Sequence, residues 1–148
     1  MKKIGLALLT SILLSSLASA APIDCLNLQG NYSAFPGGVP TSPVLLTISY
    51  DPAKNELRLE YGIYGDSSYR VESYIADNAE HVGDGIWNGN FYTATCVPSA
   101  ISIRKDFSPQ MPNMVFTSKL YIEGVTLNQT DSFDDGSLPT LRGQYKRQ

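Results

Sequence analysis

Apolar side chains recur at every second position along most of this chain, and a period of two commits it to β-strands. The clearest run sets Leu57, Leu59, Tyr61 and Ile63 on one face against Glu56, Arg58, Glu60 and Gly62 on the other. Just before it, Val44, Leu46, Ile48 and Tyr50 alternate with Leu45, Thr47 and Ser49, and Asp51-Pro52-Ala53-Lys54-Asn55 supplies the reversal. The two runs predict a hairpin. In a third strand Tyr69, Val71, Ser73 and Ile75 form the expected inner face, with Arg70, Glu72 and Tyr74 outside. Further strands are expected over Phe91–Cys96, around Ile101 and Ile103, over Val115–Ile122, over Val125–Thr130, and at Leu141, Gly143 and Tyr145. Only Tyr74–His81 breaks the pattern, reading as a single helical turn or a wide loop.

Short strands separated by turn signals every ~8–12 residues predict an all-β fold. Several connections are short enough for neighbours to pair in order, so the reading is a single antiparallel up-and-down β-barrel of about eight strands, with a β-sandwich as the alternative. Leu28-Gln29-Gly30-Asn31-Tyr32 and Leu141-Arg142-Gly143-Gln144-Tyr145 share the pattern Leu-x-Gly-x-Tyr and are candidates for the strands that meet at closure. Closure would remove both sheet edges, which protects a strand-rich chain from edge-to-edge aggregation.

The start of the chain gives an address. Lys2 and Lys3, an apolar stretch from Ile4 to Leu17 and the small box Ala18-Ser19-Ala20 have the layout of a secretory signal peptide. The expected organisation is a signal peptide over 1–20 and one domain over 21–148 in a periplasmic or secreted protein. The apolar stretch is interrupted and shorter than the ~20 residues a spanning helix needs, so no stable membrane insertion is expected after cleavage. In such a compartment Cys25 and Cys96, the only cysteines, are expected to form a disulfide. The chain carries 11 Lys+Arg against 14 Asp+Glu, a net charge of −3, and losing Lys2 and Lys3 makes it two charges more negative. No basic stripe remains for a phosphate backbone, which argues against nucleic-acid binding.

Cys25-Leu26-Asn27-Leu28-Gln29-Gly30-Asn31-Tyr32 resembles the opening of small secreted lipocalin-like and avidin-like barrels, whose first strand carries a Gly-x-Trp or Gly-x-Tyr step. The resemblance covers these eight residues, with Tyr32 where lipocalins usually have Trp. It implies a barrel that holds a small ligand in its mouth or presents its loops to a protein, and it transfers no catalytic residue.

The sequence lacks the nucleophile elbow, the His-Glu-x-x-His helix and the phosphate-cradling Gly-rich loop. The single histidine, His81, is expected at the surface or in a loop, and neither a metal site nor a cofactor is implied. Glu56, Glu60 and Glu72 could supply the two carboxylates of a glycosidase, but the alternation puts all three on outer faces beside Arg58 and Arg70, where ion pairing accounts for them. Asp131, Asp134 and Asp135 form an acidic stretch that reads as a polar hairpin turn, with weak calcium binding as the sharper possibility.

Two segments suit binding. Gly83–Asn90 holds the only tryptophan among three glycines and two asparagines, so Trp87, flanked by Ile86 and Asn88, is the candidate ligand contact; its alternative role is to plug one end of the core. The Pro-rich segments Phe35–Pro43 and Phe107–Asn113 are long for hairpin loops, and Phe35, Val39 and Pro40 are the candidate partner contacts. Three function classes follow in order: a non-enzymatic barrel binding a small apolar or aromatic molecule, a module that binds or inhibits an extracellular protein, and a hydrolase with an unrecognised site.

Overall fold

The computed structural model describes residues 25–34, 44–63, 69–83 and 89–148. A short 3-10 turn, Leu26–Leu28, precedes ten strands: β1 Gly30–Ala34, β2 Val44–Asp51, β3 Glu56–Ile63, β4 Tyr69–Ile75, β5 Asp77–Val82, β6 Phe91–Val97, β7 Ala100–Asp106, β8 Val115–Glu123, β9 Thr126–Phe133 and β10 Leu141–Arg147. All belong to one antiparallel sheet in the order β4-β3-β2-β1-β10-β9-β8-β7-β6-β5. The all-β, up-and-down reading therefore holds, with ten strands where about eight were expected. Part of the excess is β5, which occupies the stretch read as a helical turn or loop. That strand is almost wholly exposed, carries Asn78 at φ 63°, and shifts register between Asp77 and Glu80, so its alternation is not legible in the sequence.

The strands that carry the two Leu-x-Gly-x-Tyr segments do meet, although the paired residues of the last strand lie just beyond its segment. β1 pairs with β10, Tyr32 opposite Arg147 and Ser33 opposite Lys146. Glycine suits position 30 because its φ of 152° is one that other residues rarely adopt, and because a Cβ there would lie 2.9 Å from Arg147 Nε and displace that side chain. Through that gap the Arg147 guanidinium reaches the carbonyl of Gln29 and lies 6.0 Å from the centre of the Tyr32 ring. Tyr32 is 1% exposed and donates its hydroxyl to the Leu28 carbonyl at 2.7 Å, fixing the 3-10 turn across the end of the barrel. This nearly closed barrel is compatible with a calycin-type fold.

Closure is incomplete at one place. β4 and β5 are joined by Ala76 alone, yet they form the two edges of the sheet, so the expected removal of both edges does not occur. Two hydrogen bonds to Asn55, a residue of the β2–β3 turn at φ 53°, hold this corner: Ala76 N donates to its carbonyl at 2.8 Å, and its Nδ2 donates to the Ala76 carbonyl at 2.9 Å. Ile75 N donates to the Tyr92 hydroxyl at 3.1 Å, and the Tyr74 and Tyr92 rings meet edge to face at 5.2 Å. Side chains thus bridge a seam that lacks ladder hydrogen bonds. The bulge and the charges of Asp77 and Glu80 make β5 a poor template for another chain.

The core lies toward the end that carries the 3-10 turn and the short reversals. Leu28, Leu46, Leu57, Ile101, Ile103, Leu120 and Leu127 are fully buried there, each worth ~1.5–3 kcal/mol of apolar burial. Cys25 and Cys96 form the expected disulfide, with Cα atoms 5.5 Å apart, and both are buried. It ties the start of the domain to β6.

Candidate functional site

The strand faces predicted for β4 are reversed in the structure. Glu72 and Tyr74 point inward, 3% and 1% exposed, while Val71 and Ile75 face solvent. Glu72 is therefore not an outer-face residue, although the expected ion pairing with Arg70 is present. Lys105 explains the reversal: it continues the inner face of Ile101 and Ile103 on β7, is 5% exposed, and donates to Glu72 Oε2 at 3.2 Å. Arg70 pairs with the other carboxylate oxygen, and the Tyr74 hydroxyl donates to Oε2. The Lys105 ammonium also lies 5.2 Å from the Tyr74 ring centre and 5.3 Å from that of Phe116. Burial lowers the Lys105 pKa from its usual value, and Glu72 works against that shift.

This ion pair lines a cavity of about 420 Å³. Leu59, Ile103 and Leu120 border it on the core side. Phe116 and Phe133 come from β8 and β9, Tyr61 from β3, and Tyr145 from β10. The register sets Lys105, Phe116 and Phe133 side by side across three strands, and Ile103, Ser118 and Asp131 one step deeper. Phe116 sits between Phe107 and Phe133, with ring centres 5.4 and 5.7 Å away.

A second polar chain crosses the opposite wall. Asp131 Oδ1 accepts from Ser118 Oγ at 2.6 Å, Gln129 Nε2 donates to Asp131 Oδ2 at 3.0 Å, and the Tyr145 hydroxyl donates to Gln129 Oε1 at 3.1 Å.

Lys105, Phe116, Phe133, Leu141, Arg70 and Tyr61 lie near the strand ends that face away from the 3-10 turn. At that same end β1 stops and β2 starts, and β5 stops and β6 starts. The neck of the β5–β6 connection is fixed by a hydrogen bond from Gly83 N to the Asn90 carbonyl at 2.8 Å, with Gly89 at φ 80° beside it. The expected contacts Trp87, Ile86 and Asn88, and the expected partner contacts Phe35, Val39 and Pro40, lie outside the described residues, as does the signal segment 1–20.

The remaining sequence candidates separate. Asp131 faces the cavity, Asp134 is paired with Arg104 at 3.1 Å, and exposed Asp135 accepts from Ser137 N at 2.9 Å, so the three aspartates do not converge. His81 lies on β5, not in a loop. Its Nε2 is 2.8 Å from Asp77 Oδ1, and its ring stacks on Tyr92 at 5.4 Å. The hydrogen bond from His81, with that from Ala79 N, lowers the Asp77 pKa. His81 and Tyr92, with Ser73 and Ile75 of β4, border a second depression of about 460 Å³ along the β4–β5 seam.

The tyrosines around the cavity give a measurable signature. Burial raises the pKa of Tyr61, Tyr74 and Tyr145, and nearby carboxylates raise them further. A group raised in the folded state contributes stability that is complete below its unfolded pKa, near 10.0 here, and is lost as pH climbs toward the folded one. In a spectrophotometric titration Tyr61, Tyr74 and Tyr145, and with them the buried Tyr32, should ionise only with cooperative alkaline unfolding. A single normal phenol titration of the folded protein would contradict their burial.

No protein-family model matches the chain, and no curated protein matches its sequence.

Proposed function

We propose that this is a non-enzymatic binding protein of a periplasmic or secreted compartment, holding a small aromatic molecule with a polar substituent inside its barrel. The observation that carries this reading is the cavity itself. Its volume lies in the range of small-molecule sites, and its aromatic walls surround a few convergent polar groups. An apolar or aromatic ligand agrees with the rings of Phe116 and Phe133; the polar substituent answers Asp131, Gln129 and Ser118. The Cys25–Cys96 disulfide supports the oxidising compartment, as does the signal-like start of the sequence. Glu72 and Asp131 face one cavity, as the two carboxylates of a glycosidase would, but both Glu72 oxygens are taken by Arg70, Lys105 and Tyr74. Binding is therefore preferred to hydrolysis.

Native mass spectrometry of the protein purified from its own host tests this reading directly. A non-covalent adduct lost on denaturation is expected, and its mass identifies the ligand. A bare protein that also fails to take up any member of a library of small aromatic compounds would overturn the reading.

A further inference from the structure

The two carboxylates of the cavity are not equivalent. Glu72 faces two cations, Arg70 and Lys105, whereas the hydrogen-bond partners of Asp131 are the neutral Ser118 and Gln129, and no ion pair to Asp131 is found among the described residues. Its charge nonetheless reaches across the cavity, acting to raise the pKa of Tyr61 and Tyr145 and, without an ion pair, that of Lys105. A half-buried carboxylate fixed by neutral donors and surrounded by aromatic rings favours a positive charge arriving from outside, both through direct pairing and through the negative faces of the rings. An anion fares worse. It would meet Asp131 on one side and compete with Glu72 for Arg70 and Lys105 on the other.

Resting on the reading that the barrel holds a small aromatic molecule, we infer that the ligand is an organic cation, an aromatic amine whose ammonium group sits on Asp131 while its ring packs between Phe116, Phe133 and Tyr145. Ser118 and Gln129 are positioning residues, holding the carboxylate so that an oxygen faces the cavity. The Tyr145–Gln129 hydrogen bond extends this hold to β10.

The test compares three probes of similar shape by calorimetric titration into the oxidised full-length protein: 2-phenylethylammonium, 2-phenylethanol and phenylacetate. The amine should bind at least about tenfold more tightly than the alcohol, and phenylacetate least well. Asp131→Asn keeps the size of the side chain and one acceptor oxygen for Ser118 Oγ and Gln129 Nε2; it should remove most of the amine's advantage while leaving the alcohol's affinity within about twofold. Should that variant fail to fold, the ranking of the three probes on the unaltered protein still decides the matter. An amine that binds no better than the alcohol, a preference for phenylacetate, or amine binding unchanged by Asp131→Asn would overturn the assignment of charge and leave the binding barrel standing. Absence of binding by all three probes at millimolar concentration would overturn the aromatic-ligand reading and this inference with it.

Discussion

Replacing Glu72 by alanine is expected to cost about 3–5 kcal/mol of folding stability and roughly 10 °C or more in Tm. The carboxylate side chain is 1% exposed and that of its partner Lys105 is 7% exposed, so removing Glu72 takes from a poorly solvated ammonium the carboxylate it is bonded to. The Lys105 ammonium would keep its two aromatic neighbours, but ring faces replace only part of what a carboxylate supplies. Substituting both residues, Glu72→Met with Lys105→Met, should recover most of the loss, because the desolvation cost of both charges disappears together. Urea unfolding of the two single variants and the double variant gives the coupling directly. A single substitution costing less than about 1 kcal/mol would mean that water reaches this pair freely, as it does at a surface ion pair.

The second large effect is expected from Cys25→Ser combined with Cys96→Ser. The bond spans 71 positions, and the loop-closure argument assigns a bridge of that length about 4 kcal/mol, less any strain in the folded state. Both half-cystines are buried, so the serine hydroxyls would also have to find partners in the core or be left without them. The expected result is a shift of the urea midpoint comparable to that produced by full reduction of the unaltered protein. If reduction and substitution both left the midpoint unchanged, the bridge would have no stabilising role.

The hairpin β2–β3, the pairing of β1 with β10 and the disulfide were all legible in the sequence, from a local alternation, a shared Leu-x-Gly-x-Tyr pattern and a simple count of cysteines respectively. The β4 face was not. Alternation assigns a strand by its apolar residues, and in β4 Val71 and Ile75 are the solvent-facing set while Glu72 is buried. Its burial is made tolerable by Lys105, 33 residues later and on the inner phase of a different strand. The usable signal was the phase itself: Lys105 falls in step with Ile101 and Ile103, and Asp131 in step with Leu127 and Phe133. Two charges of opposite sign on predicted inner faces would have pointed to a polar cavity before any coordinates. β5 carried no such signal, since an exposed, bulged edge strand has no buried face to read.

Eight of the nine strand pairings join neighbours in sequence, and only the ninth, β1 with β10, requires distant parts of the chain to find each other. Folding can therefore proceed by local zippering of two ribbons, one from β1 to β4 and one from β5 to β10, with a single slow search for the contact that unites them. Oxidation shortens that search. Linking Cys25 to Cys96 cuts the covalent path between Tyr32 and Arg147 to about half, which eases closure by ~0.6 kcal/mol. The bridge that stabilises the finished barrel thereby also sets the order of its assembly, favouring chains that oxidise before their first and last strands meet.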